Sequence, residues 1–338
     1  MHLDIDRPSG QRMEPEAFVR EIYRLALGRE ADAAGLKGWA QAIRDSGDPT
    51  LVLRAILESE EYRQRNRPQS FDTNLRDKIS SQLRDSTLTI VDVGAQKLES
   101  EDHIYAPLCS VGLRHRIIGF EPLVDKMTER MAAESEQSLV MLPYAVGDNA
   151  EHTLFVNNED ATSSIFPLNQ DFCSDFEHIH ALRTVKTISV TTKELDDLLP
   201  DGAVPVDFLK LDIQGAELMA LKGAERLLNR TAVIHCEVEF SPIYQGQPLF
   251  PDVQAFLNAR GFDLIDITVQ TRYSYRVPSG IKSDDRLIWG DAIFFRRSSN
   301  KSELLSQALT ALVIYKKSSL AEHLLVKSSA LLTEDEAD

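Results

Sequence analysis

The fold is decided by residues 88–95, which read LTIVDVGA. A compact, β-branched run of this kind is typical of a buried strand, and Gly94 ends it in a turn. In doubly wound α/β folds a ligand lies outside the carboxyl ends of the strands. A small residue at the first strand-to-helix turn lets that ligand approach the backbone. We therefore expect a ligand site at Gly94.

Six further runs have the composition of buried strands, and helical patterns separate several of them. This alternation predicts parallel βαβ units and an α/β fold with a doubly wound, mostly parallel sheet. No long helix separates the last two strands, which predicts an antiparallel closing hairpin with residues 272–282 near its turn. The predicted strands are 116–120, 139–142, 206–211, 232–238, 262–269 and 291–295, and the predicted helices are 124–133, 216–228 and 253–259.

We predict that the α/β domain spans residues 85–297. Composition divides the rest of the chain into further segments. Apolar residues at helical spacing predict a small all-α domain over 14–66. We expect C-terminal amphipathic helices over 298–330, which pack on the protein itself or on a second copy. The remaining predictions are a flexible segment at 1–13, a linker and lead-in helix at 67–84 with the linker itself at 66–72, and a disordered acidic tail at 331–338.

Charge and cysteine content exclude several classes of protein. The 338 residues carry a formal net charge of −16, which argues against nucleic acid as a main partner and against a polybasic membrane anchor. The three cysteines are far apart and form no CxxC pair, so neither a disulfide framework nor a zinc ribbon is expected. No apolar run suits a signal peptide or a membrane span, which predicts a cytoplasmic protein without membrane insertion.

The loop after the first strand points to a class of cofactor. A dinucleotide fold requires GxGxxG to hold a pyrophosphate, whereas here one glycine is followed by Ala95 and Gln96. This disfavours NAD and FAD. A ligand without phosphate, such as S-adenosylmethionine, tolerates the loss, although an incidental turn after a buried strand remains the alternative.

Acidic residues follow the next strands. Glu121, with Pro122, ends the second strand, where one carboxylate can accept hydrogen bonds from both hydroxyls of a ribose. Asp148 follows the third strand, where it could accept from the exocyclic amine of an adenine or serve as a turn acid. Asp212 ends the fourth strand and faces the same crevice. Glu217 lies in the first turn of the following helix, where capping and function are equally good explanations.

Three ionisable residues alternate along the fifth strand: His235, Glu237 and Glu239. Alternation places them on one side of the sheet. Their position at the carboxyl edge predicts the mouth of an active site. Thr162, Ser163 and Ser164 are expected to border an acceptor pocket, with an ordinary polar loop as the alternative. His178 and His180 are expected to face solvent.

At this point the sequence resembles a known family. The motifs VDVGA, GFEP, YAVGD and FLKLDIQGAELMALKGAERLL, followed by VIHCEVEFSPIYQGQPLF, look like the FkbM-type S-adenosylmethionine-dependent methyltransferases over residues 85–297. The resemblance implies a class I methyltransferase fold and O-methylation of a hydroxyl on a sugar, a glycan or a polyketide-like metabolite. It further implies that Asp92, Gly94 and Ala95 line the methionine end of the cofactor, and that Asp212 lies near the site of methyl transfer. This chain departs from the common VDVGANxG at VDVGAQKL, where Gln96 offers an amide.

The N-terminal domain has a resemblance of its own. Gly28, Asp32, Gly35 and Trp39 match the pattern LGRxxDxxGLxxW of a helical domain of unknown function. That domain recurs in bacterial surface-layer, secreted and glycan-modifying proteins. Trp39 is expected in its core rather than on a sugar-binding surface.

Transfer of a methyl group to an unactivated hydroxyl benefits from a base. The candidates are His235, Glu237, Glu239 and Asp212, of which we favour Asp212, His235 and Glu237. A divalent metal held by these residues is a less favoured alternative. Two other functions stay open: a catalytically inactive binding or scaffold protein in glycan biosynthesis, and a nicotinamide-dependent oxidoreductase. Retention of Asp92, Glu121 and Asp212 favours the methyltransferase.

Overall fold

The computed structural model describes residues 14–59, 61–62, 69–96, 102–133, 138–199 and 205–335. The predicted flexible segment 1–13, part of the predicted linker and residues 336–338 lie outside the described residues. The chain divides into two compact units, Met1–Asn74 and Leu75–Asp338.

The first unit is helical. Its helices are α1 (Pro15–Ile22), which continues as a π-helical turn over Tyr23–Leu27, α2 (Ala33–Ser46) and α3 (Thr50–Glu58). Gly28 ends the first helix in a left-handed conformation. The Asp32 side chain begins α2 by accepting a hydrogen bond from the backbone of Gly35. Trp39 is partly buried against the core of this unit.

Helix α4 (Gln69–Gln82) begins within the segment predicted as a linker and is followed by the α/β part of the chain. The elements there are β1 (Thr87–Val93), α5 (Ala106–Cys109), β2 (Arg114–Phe120), α6 (Val124–Ala133), β3 (Leu139–Leu142), β4 (Ala145–Val146), β5 (Glu151–Asn157), α7 (Gln170–Ser174), β6 (Thr184–Lys193), α8 (Leu195–Leu198), β7 (Val206–Leu211), α9 (Glu217–Lys222), α10 (Glu225–Leu228), β8 (Thr231–Glu239), α11 (Phe250–Ala259), β9 (Phe262–Tyr273), β10 (Arg286–Arg296), α12 (Lys301–Val313) and α13 (Ser318–Asp335).

The main sheet has seven strands in the order β3-β2-β1-β7-β8-β10-β9. Strands β3, β2, β1, β7 and β8 are parallel, and β10 is antiparallel to both of its neighbours. This confirms the doubly wound sheet and the antiparallel closing hairpin. The order reverses between β1 and β7, which is the point where such sheets bind ligands.

The two faces of the sheet differ in chemistry. One face is apolar: Val91, Leu209 and Ile234 pack with residues of α9, α10 and α11 in a continuous core. On the other face the register aligns Asp92 with Lys210 and Lys210 with His235. A polar row therefore crosses the middle of the sheet toward its carboxyl edge.

The segment between β3 and β7 contains a second sheet, of order β4-β6-β5, that the sequence analysis did not predict. Its helix α7 and the following turn pack Phe176 and Ile179 against Tyr244 and Ile288. This apolar contact holds the inserted segment on the loops that follow β8 and on β10.

The C-terminal helices differ from the expected amphipathic pair. Every residue of α12 from Leu304 to Val313 is buried, including polar ones, because the sheet covers one side and α13 the other. Gln307 donates to the carbonyls of Ala232 and Arg296. Helix α13 continues to Asp335, into the segment predicted as a disordered tail. A contact with a second copy through these helices stays a prediction. No helix in the described part of the chain is long and apolar enough to cross a membrane.

Candidate active site

A cleft of about 420 Å³ opens at the carboxyl ends of the strands, between the main sheet and the inserted segment. Ligand and cofactor pockets typically have volumes of ~300–1,000 Å³. Six of the ten residues predicted from the sequence line this cleft: Gly94, Gln96, Glu121, Pro122, Asp212 and His235.

At Gly94, on the floor of the cleft, the backbones of β1 and of the residue after β7 lie very close together. Its φ is +78°, and a Cβ atom at this position would lie 1.9 Å from the carbonyl oxygen of Asp212. The backbone of Asp212 in turn donates to the carbonyl of Val93 at 3.1 Å. Any side chain at position 94 would therefore push β1 and β7 apart at the point where the cleft begins.

Glu121 lies in the cleft although it is largely buried. Its Oε1 accepts a hydrogen bond of 2.9 Å from the backbone of Leu123. Burial raises the pKa of this carboxyl above its ordinary value, and the Leu123 amide partly offsets that effect. The carboxyl is thus held in one orientation at the end of β2, where the sequence predicted a ribose-binding acid.

Asp92 and Ala95 do not line the cleft, and the expectation for them needs correction. Asp92 is completely buried and accepts hydrogen bonds from Arg130 at 2.8 Å and from Tyr105 at 2.7 Å. The carbonyl of Ala95 accepts from the same Arg130, at 2.7 Å. The backbone amides of Gly94 and Ala95 both donate to the carbonyl of Phe120. Both residues therefore lie beneath the cleft wall.

Asp148 is also outside the cleft. It is exposed in the turn after β4, where it contacts His152 at 2.7 Å and accepts from the hydroxyl of Thr192 at 3.1 Å. The geometry therefore favours a role for Asp148 in stabilising the turn over a contact with an adenine. Tyr144, Ala145 and Val146 of the same motif do line the cleft.

Asp212 combines exposure to the cleft with a fixed charge. Lys210 Nζ lies 3.2 Å from its Oδ2, and Gln214 Nε2 lies 3.2 Å from its Oδ1. Burial alone would raise the pKa of Asp212, but the charge of Lys210 and these hydrogen bonds outweigh it and hold the pKa below its ordinary value. Asp212 is therefore ionised at neutral pH.

His235 lines the cleft with both ring nitrogens near partners. Nδ1 is 3.2 Å from the hydroxyl of Tyr315, and Nε2 is 3.6 Å from a carboxylate oxygen of Asp291. Glu237 lies on the same strand face but is buried beneath Gln214, which donates to it at 2.7 Å. His235, Glu237 and Glu239 do lie on one face of β8, as predicted. Of these three residues, only His235 lines the cleft.

The sequence analysis did not identify several residues that line the cleft. Lys210 and Asp291 are charged residues flanked by apolar ones in β7 and β10, and that contrast was the available signal. Gln214 gave no such signal, because three of its four partners are distant in sequence. Of the three residues expected to border a pocket, Ser163 and Ser164 line the cleft and Thr162 does not. Ser164 donates to the backbone carbonyl of Gln214 at 2.6 Å. His178 and His180 are exposed, as expected.

The cleft is acidic. Its ionisable lining consists of one lysine, two histidines and five acids, namely Asp102, Glu121, Asp160, Asp212 and Asp291. Such a lining favours a cationic ligand over one that carries phosphate. Among the described residues, no group of three or more histidines, cysteines or acids has the arrangement of a metal site.

Comparison with known proteins agrees with this architecture. Residues 92–264, just over half of the chain, match the methyltransferase FkbM domain. The chain belongs to the FkbM methyltransferase family. The strand order and the single antiparallel strand described above are those of the expected class I methyltransferase fold. Residues 6–66 match a domain of unknown function, DUF4214.

Among curated relatives of this FkbM chain, the 2-O-methyltransferase NoeI of Sinorhizobium fredii is 28% identical over 95 residues. The match spans 27% of this chain and 39% of the length of NoeI.

Solved structures are less similar. A precorrin-6y C5,15-methyltransferase from Geobacter metallireducens has a TM-score of 0.31 at 11% identity, over 66% of this chain and 89% of that one. A TehB-like SAM-dependent methyltransferase from Corynebacterium glutamicum has a TM-score of 0.30 at 11% identity, over 70% and 97%.

The close approach at Gly94 predicts the effect of a methyl group there. Gly94→Ala should destabilise the protein by about 1–3 kcal/mol through overpacking, in addition to the strain of a positive φ. Gly112→Ala is a matched control, because Gly112 has a φ of +81° with nothing within 4 Å of the added Cβ. Urea denaturation of both variants separates the two effects, and equal losses would contradict the close approach.

Buried acids below the cleft predict a pH dependence of stability. Burial raises the pKa of Glu217 to about 7, whereas the unfolded chain has the ordinary value of 4.5. Between these values the folded state holds a proton that the unfolded state has lost, so the free energy of unfolding falls as pH rises from 5 to 8.

Glu217→Gln should reduce that fall by on the order of 1–3 kcal/mol. The amide keeps an oxygen to accept the backbone N–H of Ile213, which Glu217 Oε1 accepts at 2.7 Å. Denaturation at pH 5 and pH 8 provides the measurement. The exposed Glu322→Gln controls for the loss of one carboxyl, and an equal fall in wild type and Glu217→Gln would refute the assignment.

Proposed function

We propose that the protein is an S-adenosylmethionine-dependent O-methyltransferase that acts on a hydroxyl of a sugar or glycan. The observation that carries the proposal is one cleft, at the point where the strand order reverses, that contains both Glu121 and Asp212. Glu121 suits the ribose of the donor, and Asp212 suits the hydroxyl of an acceptor.

The cleft residues fit the proposed donor in size and charge. The volume is within the range of cofactor pockets, and the acidic lining complements a sulfonium and an ammonium group. Phe120, Val146 and Leu154 provide apolar wall beside Glu121, which suits an adenine ring. The sequence after β1 reads VDVGAQKL and lacks the GxGxxG of a phosphate-binding loop, which supports this donor over a nicotinamide dinucleotide.

When bound, S-adenosylmethionine supplies a methyl group that is already activated by the sulfonium, so positioning of the acceptor provides most of the rate. Asp212 is the group that we assign to the acceptor hydroxyl. It is ionised, exposed to the cleft and held by Lys210 and Gln214. It accepts a hydrogen bond from the hydroxyl and receives the proton when the new O–C bond forms.

The other two catalytic candidates have different positions. His235 forms part of the cleft wall, and its contact with Asp291 orients the ring. Burial, followed by the charge of Asp212, raises the pKa of Glu237 well above its ordinary value. We therefore assign Glu237 to the support of Gln214 rather than to proton transfer.

A carbohydrate acceptor is supported by the lining of the inserted segment and by one relative. Ser163, Ser164 and Gln214 border the cleft beside Asp212. Hydroxyl, amide and carboxylate groups at short range are the usual partners of sugar hydroxyls. NoeI is named a 2-O-methyltransferase, which is the same reaction class.

Donor binding tests the first half of the proposal. Isothermal titration calorimetry on the full chain should show micromolar binding of S-adenosylmethionine and S-adenosylhomocysteine. Glu121→Ala should weaken both by about tenfold or more, because the ribose loses a charged hydrogen-bond acceptor. Asp148→Asn, outside the cleft, should leave both affinities unchanged. Unchanged affinity in Glu121→Ala, or a matching loss in Asp148→Asn, would contradict the assignment.

Transfer of a labelled methyl group to a panel of methyl glycosides tests the second half. Asp212→Asn keeps the shape of the side chain, so donor affinity should change by less than threefold while kcat falls by about 10²-fold or more. Full activity in Asp212→Asn would rule out Asp212 as the proton acceptor. Donor binding without transfer to any glycoside would count against a sugar acceptor.

A further inference from the structure

Arg130, on α6, is the largest completely buried side chain of the described residues. A guanidinium in the interior is costly unless it is paired and its N–H groups are bonded. It takes no part in the lining of the cleft. Its position therefore needs an explanation beyond packing.

The guanidinium joins three groups. Nη1 donates to Asp92 Oδ2 at 2.8 Å and to the carbonyl of Ala95 at 2.7 Å, and Nη2 donates to the hydroxyl of Tyr105. Tyr105 donates in turn to Asp92 Oδ2 at 2.7 Å. One side chain thus connects the end of β1 with two positions in the loop that follows it.

Those two positions lie on either side of the loop, and each is next in sequence to a residue that lines the cleft. Gln96, next to Ala95, lines the cleft at one end. Asp102, His103 and Ile104, which precede Tyr105, line it at the other end. His103 also stacks on Tyr105, with ring centroids 5.2 Å apart and planes 3° apart. The location of this cleft wall therefore depends on the bonds that Arg130 makes.

We propose that Arg130 is a positioning residue for the donor site, because it holds the Ala95 carbonyl before the loop that follows β1 and the Tyr105 hydroxyl after it. A second glycine would let the backbone itself adopt the shape that a ligand requires. The sequence VDVGAQKL has no second glycine, and a fork of N–H donors on α6 fixes the Ala95 carbonyl. The inference rests on the proposed function, because it assumes that the cleft binds the methyl donor.

Arg130→Lys separates geometry from charge. Lysine keeps the positive charge beside Asp92, but its single ammonium cannot bond the carboxylate, the Ala95 carbonyl and the Tyr105 hydroxyl in the same fork geometry. The dissociation constant for S-adenosylhomocysteine should rise by about tenfold, measured by calorimetry well below the melting temperature. A purely structural role would lower the melting temperature and leave this constant unchanged.

Arg296→Lys is the matched control. Arg296 is a partly buried arginine of β10 that donates to the carbonyl of Leu228, and it does not line the cleft. Its replacement should lower the melting temperature without a change in the dissociation constant. Equal weakening by both arginine variants would overturn the proposal.

Asp92→Asn/Arg130→Met provides a second test if Arg130→Lys folds poorly. This double variant removes both buried charges, so the fold no longer contains an unpaired ion, yet the loop ends still lack their donor. The expected dissociation constant is again about tenfold above wild type. Binding within twofold of wild type would overturn the inference alone. A wild-type protein that binds neither S-adenosylmethionine nor S-adenosylhomocysteine would overturn the proposed function and this inference with it.

Discussion

The carboxylate of Asp92, buried in the central strand without any exposed surface, is the constraint on which the cleft depends. Burial would raise its pKa, but the charges of Lys210 and Arg130 outweigh that effect and hold the pKa below its ordinary value. Such a group is poor evidence for added stability, since apolar residues of equal volume often serve as well. Its consequence is positional. The two cations come from α6 and β7, and Lys210 of β7 lines the cleft.

The buried charge of Asp92 is linked to that of Asp212 through a shared lysine. Lys210 Nζ lies 3.6 Å from Asp92 and 3.2 Å from Asp212, so one buried ammonium serves two carboxylates. Glu237 and Glu239 lie further along β8, and burial raises the pKa of each well above its ordinary value. The face therefore holds an acid of lowered pKa at the cleft and acids of raised pKa beneath it.

Much of the fold was predictable because it rests on local signals. β3, β7 and α6 have the predicted limits, since apolar runs and helical spacing are read within ten residues. The small sheet of β5 and β6 was missed because β6 is largely exposed and β5 is only partly buried, so neither strand has a strong apolar contrast. Asp148 was misjudged for a related reason, because the sequence does not distinguish an acid that stabilises a turn from one that binds a ligand. The hydrogen bond from the hydroxyl of Thr192, 44 residues away, distinguishes the two.

Gln214 shows most clearly why the remainder of the site could not be inferred from the sequence. Its φ of 57° places a residue other than glycine in the left-handed region, a conformation that costs on the order of 1 kcal/mol. Asp212 and Glu237 accept from its amide, Ser164 donates to its backbone carbonyl, and the hydroxyl of Tyr244 lies 2.9 Å from its Oε1.

Three of these four partners of Gln214 are 23 to 50 residues away in sequence, so no local pattern reports them. Strain of this kind persists only where surrounding contacts over-determine it, and it is concentrated at functional sites. The consequence is geometric: the inserted segment is bonded to the residue that holds Asp212. The acceptor side of the cleft and the proposed proton acceptor are thus parts of one hydrogen-bonded junction.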